Sequence, residues 1–304
     1  MQFGEYMRGC RARYELTQED LVSELYNFDI REFGGLDVTT LSKWERGRSQ
    51  PPPLRIAAIL KYFQERSGLA LPCVEDHDLD SAETILSQEG INTLIGKTRA
   101  LYVQLPLDNL PTKEYHLIPL RHFGRREQIL EVHQALYDSV NTGFARVELD
   151  KFREWSLDPR HLFYVLLYKD VILGLLFALR MKPGSFEEVL RFKRSKSQID
   201  VGDFAELEDP SSLYILSSFA LHPRFLSTLY LKLAAHLIVH QRTIDQVGLV
   251  TPLPEVERMA DRMNLRHRAV WREQKQEIHA YASTVKEMIR GEEVVRALFP
   301  RRSE

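Results

Sequence analysis

The stretch LYILSSFALHPRFLSTLYLKLAAHLI, residues 213–238, decides the fold of the larger part of this chain. Its first nine residues are almost all apolar, apart from a pair of serines, which predicts a buried strand. After a proline at 223, apolar residues recur at the i, i+3, i+4 spacing of a helix with one buried face, namely Leu226, Leu229, Tyr230, Leu233, Ala234, Leu237 and Ile238. The stretch therefore predicts a strand followed directly by a helix.

Strand and helix patterns also flank this stretch. The predicted strands are YHLIPL from Tyr115, HLFYVLLY, VILGLLFALRM, VGLVTP and IHAYASTV. Lys169 and Asp170 separate the second and third of these as the tight turn of a hairpin. The predicted helices are RREQILEVHQALYDSV, ARVELDKFREW and PEVERMADRMNL, and in the first of them we expect burial of Ile129, Val132, Leu136 and Val140.

This order of elements over residues 115–290 resembles the GNAT acyltransferase fold. The sharpest local similarity is SSFALHPRFLSTLYLKLAAHLI, where that family has a strand that ends near a proline, followed by the acyl-CoA helix. The resemblance implies an α+β domain with a mixed, mostly antiparallel sheet, which we assign to residues 113–304. Fold alone does not establish activity.

The family holds the CoA pyrophosphate with a glycine-containing loop, whose small residues let backbone N–H groups approach the phosphates. The corresponding stretch HPRFLSTLYLK has no glycine, and Ser227, Leu229 and Leu231 stand where tiny residues are needed. Arg224 is the one candidate for cofactor binding. We therefore predict no cofactor, no catalytic residue and more likely no enzyme activity, with Glu206 or Glu208 as the general base that catalysis would otherwise use.

Three other groups of residues are interpreted as structural. His236 and His240 are spaced i, i+4 but lack further metal ligands, so we predict no metal site. The basic run RFKRSK, residues 191–196, is interpreted as a solvated loop. Ser217 and Ser218 have no nearby histidine and carboxylate signature for nucleophilic catalysis.

The first sixty-nine residues follow a different, all-helical pattern. FGEYMRGCRAR places Phe3, Tyr6, Met7 and Cys10 on one helical face, and Thr17 with Asp20 predicts a capping box at the start of a second helix. Asp37 can cap a third helix, VTTLSKWERG, which Gly47 ends, and LRIAAILKYFQERSG is a fourth.

The phrases LTQEDL at 16–21 and LSKWERGRSQP at 41–51 resemble the Cro/repressor-type, XRE-like helix-turn-helix family. The segment between the two helices is about nine residues longer than that family's tight turn. The resemblance implies a recognition helix from about Val38 to Trp44 in the DNA major groove. The implied DNA-binding residues are Gln18, Thr39, Thr40, Ser42, Lys43, Arg46 and Arg48, the last two on phosphates.

Composition adds limits to this interpretation. The 304 residues carry a formal net charge of −2, so DNA binding would need a local basic patch. Two cysteines, Cys10 and Cys73, give no disulfide framework, and no apolar run suggests a signal peptide or a membrane span. We expect a cytoplasmic, soluble protein with no membrane partner.

The combined prediction is a DNA-binding transcriptional regulator. It has an all-α helix-turn-helix domain at 1–69, a linker with a helix at 70–112 and the GNAT-like α+β domain, which senses a ligand, mediates dimerisation or binds a partner. Double-stranded DNA and a second copy of the chain are the expected partners. Two alternatives stay open: an acyl-CoA-dependent N-acyltransferase with a DNA-targeting domain, and a scaffold protein tethered to DNA.

Overall fold

The computed structural model describes residues 3–67, 115–140, 146–168, 171–273, 276–291 and 294. An all-helical unit forms the amino-terminal part, and a sheet flanked by helices forms the rest. The predicted linker at 70–112 and the turn at Lys169 and Asp170 lie outside the described residues. Within these ranges no helix is long and apolar enough to cross a membrane.

Five helices occupy residues 3–67: α1 (Phe3–Arg13), α2 (Gln18–Phe28), α3 (Ile30–Phe33), α4 (Val38–Glu45) and α5 (Pro53–Ser67). The capping box of Thr17 and Asp20 is present, and the Asp37 side chain accepts from the backbone N–H of Thr40. Gly47 has a φ of 67°, the left-handed conformation that commonly follows a helix. The helix starts and the helix end that these residues predicted are therefore present in the structure.

Helix α3 is the element of this helical unit that the sequence pattern did not predict. Asp29 caps it with its side chain, which accepts from the backbone N–H groups of Arg31 and Glu32. The helix lies in the long segment between the two helices of the predicted helix-turn-helix. Phe33 at its end is fully buried. All four residues of the predicted apolar face of α1, and also Trp44, are buried as expected.

A seven-stranded sheet forms the second part, with the order β1-β2-β3-β4-β5-β7-β6. Strands β4 and β5 pair in parallel, and every other neighbouring pair is antiparallel. The predicted mixed, mostly antiparallel sheet is thus confirmed. The strands are β1 (Tyr115–Pro119), β2 (Leu162–Tyr168), β3 (Val171–Met181), β4 (Ser211–Ala220), β5 (Ile244–Thr251), β6 (Arg266–Glu273) and β7 (Gln276–Thr284).

Six helices cover the two faces of this sheet: α6 (Arg126–Val140), α7 (Leu149–Trp155), α8 (Pro183–Leu190), α9 (Pro223–Val239), α10 (Pro254–Arg262) and α11 (Val285–Ile289). Residues 175–179 of β3 alternate between two hydrophobic clusters, as the period of a strand requires. Helices α6, α7 and α8 pack with the cluster of one face, and α9, α10 and α11 pack with the cluster of the other face.

Helices α8 and α11 were not predicted from the sequence, and two further details of this part differ from the prediction. Strand β6, RHRAVWRE, was missed because it lies at the sheet edge and is rich in exposed charged residues, which hide the strand pattern. In α6, Val132 and Leu136 are each 41% exposed, whereas His133 and Tyr137 are buried beside Ile129 and Leu130. The aromatic and imidazole rings fill the space over the sheet, so the buried face is rotated from the predicted one.

The helical unit and the sheet share one hydrophobic cluster. Helix α5 contacts α9 and α11, and its buried residues Ile59 and Phe63 belong to the same cluster as Leu229 and Met288. Helix α9 therefore lies between the sheet and α5.

Candidate active site

The parallel strands β4 and β5 separate halfway along their length. Their pairing runs from Ser211↔Ile244 to Ile215↔Leu249, after which β4 continues beside β3 and β5 continues beside β7. The register between β3 and β4 shifts after Phe177↔Ser217, so that Leu216 is an extra residue in β4. Such a β-bulge bends a strand and increases its twist. The bulge therefore lies where the two strands begin to diverge.

The divergence opens a cleft with an empty volume of about 480 Å³, including its open mouth. One wall consists of β4 residues 215–219, and the other consists of residues 249–253 at the end of β5; Lys196, Tyr230 and Val256 complete the lining. Beyond Ile215 the β4 edge that faces β5 has no strand partner within the described ranges, so its main-chain groups face the cleft.

Ser217 lies on the α6 side of the cleft. Its Oγ is 2.6 Å from Nε2 of His133, which α6 holds under the sheet. Burial lowers the pKa of His133 to about 3, so its imidazole is neutral at pH 7. Phe152 and Phe177 pack against the ring with centroids 4.5 and 4.3 Å away. The aromatic packing holds the imidazole in place, and the imidazole in turn orients the serine hydroxyl.

Ser218 lies on the opposite side, where its Oγ is 3.0 Å from the hydroxyl of Tyr230 on α9. The alternation of the strand directs Ser217 and Ser218 to opposite faces. Tyr230 is almost fully buried, yet it lines the cleft. Each of these two hydroxyls can donate and accept a hydrogen bond. The pair can therefore pass a proton to or from a bound molecule.

Lys196 is the one basic side chain that the described part of the chain contributes to the cleft lining. Only 2% of the residue is exposed, and its Nζ donates to the backbone carbonyl oxygen of Val250 at 3.3 Å. The ammonium also lies 5.8 Å from the centroid of the Tyr137 ring. Burial lowers the pKa of Lys196 to about 8. No carboxylate of the described part of the chain forms an ion pair with it.

The amino end of α9 has little capacity for phosphate. Pro223 has no N–H, the N–H of Arg224 donates to Nδ1 of His222 at 3.2 Å, and the N–H of Phe225 donates to the His222 carbonyl at 3.0 Å. The first-turn donors that could hold a pyrophosphate are therefore engaged internally. Arg224, the predicted cofactor-binding candidate, is exposed at this helix end.

Other sequence candidates lie outside the cleft. Glu206 is an exposed partner of Arg160 at 2.7 Å, and Glu208 is exposed as well. The rings of His236 and His240 are 4.2 Å apart on α9, and burial lowers the pKa of both. No cluster of three metal-ligating residues occurs among the described positions.

The sequence analysis interpreted residues 191–196 as a solvated loop, and for Lys196, the last of them, this was wrong. Arg191 pairs with Glu187, and Arg194 pairs with Glu188 and Asp203, so these arginines remain near the surface. Lys196 instead turns inward. The sequence shows only a basic run, because the depth of a side chain in a loop depends on distant strands.

The predicted DNA-binding residues lie on α2, on α4 and just beyond α4. Thr39, Lys43, Arg46 and Arg48 are exposed, whereas Thr40 and Ser42 are half-buried. Gln18 donates through Nε2 to Oε2 of Glu45 at 2.7 Å, and Arg46 donates through Nε to the Ser42 carbonyl at 3.1 Å. Gln18 and Arg46 thus have partners inside the helical unit.

Glu45, which the sequence interpretation did not single out, joins three helices. This buried carboxylate accepts hydrogen bonds from Nε and Nη2 of Arg11, at 2.6 and 3.1 Å, and from Nε2 of Gln18.

We expect Glu45→Gln to lower the free energy of unfolding by about 2 kcal/mol, because charge-assisted hydrogen bonds to Arg11 are lost. Urea unfolding followed by circular dichroism measures the change. Glu19→Gln, at an exposed position of α2, serves as control, and equal stability of both variants would contradict the assigned role.

No family model and no curated protein matches this chain. Among solved structures it is similar to FeeM, an N-acyl amino acid synthase from uncultured soil microbes, with 9% identity, a TM-score of 0.40, and coverage of 57% of this chain and 91% of FeeM. It is also similar to an aminoglycoside N(6')acetyltransferase from Legionella pneumophila, with 6% identity, a TM-score of 0.36, and coverage of 58% of this chain and 94% of that one.

A third similar structure is Mycobacterium smegmatis RimJ in complex with CoA-disulfide, with 11% identity, a TM-score of 0.32, and coverage of 76% of this chain and 90% of RimJ. At these identities the similarity concerns the fold. The mixed seven-stranded sheet with helices on both faces agrees with the GNAT-like α+β domain that the sequence predicted.

The predicted function, a DNA-binding transcriptional regulator, was wrong. The similar solved structures are named as an N-acyl amino acid synthase and as acetyltransferases, not as DNA-binding regulators. The two motifs lie in the helical unit and the missing glycines concern the start of α9, whereas the cleft lies between β4 and β5. The helix-turn-helix assignment has no support beyond those motifs.

Proposed function

We propose that the chain is an N-acyltransferase that moves an acyl group from a thioester donor, such as an acyl-CoA, to an amine. The observation that carries this proposal is the unpaired β4 edge, which forms one wall of a cleft between two separated parallel strands. The proposal rests on this geometry together with the contact of Ser217 with His133 and the hydroxyl pair of Ser218 and Tyr230.

The β4 edge suits the amide-bearing arm of a thioester donor. Exposed main-chain N–H and C=O groups bind extended partners by adding hydrogen bonds in the manner of a further strand. The pantetheine arm of CoA carries two amides and can be held in this way along residues 216–219. A main-chain N–H at this edge would then stabilise the negative charge that develops on the thioester carbonyl oxygen.

The hydroxyls of the cleft account for the proton balance of the reaction. A neutral amine attacks the thioester carbon, the new C–N bond forms, and the C–S bond breaks. The nitrogen must lose one proton, and the leaving thiolate must gain one. Ser218 and Tyr230 relay this proton to the sulfur, while Ser217, oriented by neutral His133, holds the amine by a hydrogen bond.

Donor binding tests the proposal directly. We expect octanoyl-CoA and octanoyl-pantetheine to bind the full-length chain with dissociation constants on the order of micromolar that differ by less than about ten-fold, because the arm and not the nucleotide is held. Calorimetric titration measures both constants. Adenosine 3',5'-bisphosphate is the control and should not bind. If neither thioester bound, the acyltransferase proposal would be refuted.

The predicted homodimer stays a prediction. Sedimentation velocity of the full-length chain would test it independently of the donor titration.

A further inference from the structure

Lys196 lies in the cleft as an uncompensated buried cation. Its Nζ has three N–H donors, and the described residues offer one hydrogen-bond acceptor, the Val250 carbonyl oxygen. The remaining contact is with the face of the Tyr137 ring. Because a buried charge without a counter-charge is unfavourable, an anion in the cleft would remove a large desolvation penalty.

Lys196 lies on the side of the cleft where the amine substrate, the acyl acceptor, would bind. Val250 and Tyr137 belong to the hydrophobic cluster under α6, α7 and α8, and His133 reaches Ser217 from α6 on that same face. Tyr230 and Ser218 lie on the α9 face. Lys196 is therefore on the side where Ser217 would hold the attacking amine, and an anion bound to it belongs to the acceptor rather than to the leaving thiol.

The single positive charge of the site indicates which kind of anion it would bind. One ammonium matches a single negative charge, and among the described residues no second basic side chain lines the cleft. A phosphate of nearly two negative charges would ordinarily recruit arginine or a helix amino end. A carboxylate carries one charge and two acceptor oxygens, which suit the remaining N–H donors of Lys196.

We infer that Lys196 binds the carboxylate of the acceptor, so that the acceptor class is an amino acid or another amine that carries a carboxylate. This inference rests on the proposed acyl transfer and names the substrate that the same cleft receives. Lys196 is a specificity-determining residue in it, because the ammonium holds the carboxylate while the amine reaches the thioester.

A pair of product analogues tests the inference. N-octanoyl-L-phenylalanine and N-octanoyl-2-phenylethylamine differ only in the carboxylate, and calorimetric titration into the full-length chain gives both affinities. We expect the carboxylate compound to bind about 10- to 100-fold more tightly, as a charge-assisted hydrogen bond allows. In Lys196→Met the ratio should fall to near one, with the affinity for the neutral compound unchanged.

Lys193→Met is the matched control, because Lys193 is an exposed lysine of the same basic run. It should keep the wild-type ratio. A ratio that is the same in wild type and Lys196→Met would overturn the carboxylate assignment while leaving acyl transfer intact. Failure of both analogues and of octanoyl-CoA to bind wild type would overturn the proposed function itself. Thermal unfolding of each variant confirms that the fold is kept.

Discussion

Replacement of Tyr230 by phenylalanine should lower kcat about 100-fold, the size typical of a lost proton-transfer group. The substitution removes the hydroxyl that lies 3.0 Å from Ser218 Oγ and keeps the buried ring on α9. The thiolate then leaves without its proton donor, whereas donor binding along the β4 edge is unaffected. Release of free thiol from octanoyl-CoA, with the best amine of a panel, measures kcat, and we expect the KM for the thioester to stay within about three-fold.

Two further variants show whether Ser218 and Tyr230 act together. Ser218→Ala should cause a loss of similar size, and the double variant should lose little more, because the two hydroxyls form one relay. Tyr281→Phe is the control, since its hydroxyl donates to Glu257 at 3.2 Å and does not line the cleft. A Tyr230→Phe enzyme with nearly wild-type kcat would exclude the relay.

Replacement of Lys196 by methionine should stabilise the chain by about 3 kcal/mol at pH 7. Burial lowers the pKa of Lys196 from 10.5 to about 8, and each pKa unit corresponds to about 1.4 kcal/mol between the two protonation states. Methionine has a similar length and no charge, so the variant avoids the cost of a buried, uncompensated ammonium. Urea unfolding of the two full-length proteins measures the difference.

The pH dependence of that difference has a definite sign. Below pH 8 the lysine is protonated in both the folded and the unfolded state, so the full penalty of the buried ammonium is present. Between pH 8 and 10.5 the folded state has released the proton and the unfolded state still binds it, so the wild type gains stability as the pH rises. Tyr137 stays neutral in this window because burial raises its pKa.

The advantage of the methionine variant should therefore shrink between pH 8 and 10.5. Lys193→Met should change the free energy of unfolding by less than about 0.5 kcal/mol at every pH, as exposed positions do. A Lys196→Met protein that is less stable than wild type at pH 7 would mean that the bond to Val250 is structural.

Most elements could be predicted from the sequence because their signals are local. The apolar period of α9, the capping box of α2 and the glycine after α4 act over a few residues, and each lies where the pattern placed it. Strand β6 and the buried face of α6 could not be read in this way. An edge strand rich in charge lacks the usual pattern, and His133 is buried only because aromatic rings of three other elements surround it.

The cleft was harder to predict than the fold. Ser217 and Ser218 were visible as two polar residues in an apolar strand, yet their partners on α6 and α9 are 84 and 12 residues away. The divergence of β4 from β5 depends on the pairing of each strand with a different neighbour, which one sequence does not reveal. Lys196 was hidden because a run of basic residues usually remains in water.

The hydrophobic cluster shared by α5, α9 and α11 has a thermodynamic consequence. Removal of the helical unit would expose the outer side of α9 to solvent, so a chain shortened to the sheet part would lose apolar contacts on which α9 depends. The two parts should therefore melt together: a calorimetric scan of the full-length chain should show one endotherm, with equal calorimetric and van't Hoff enthalpies.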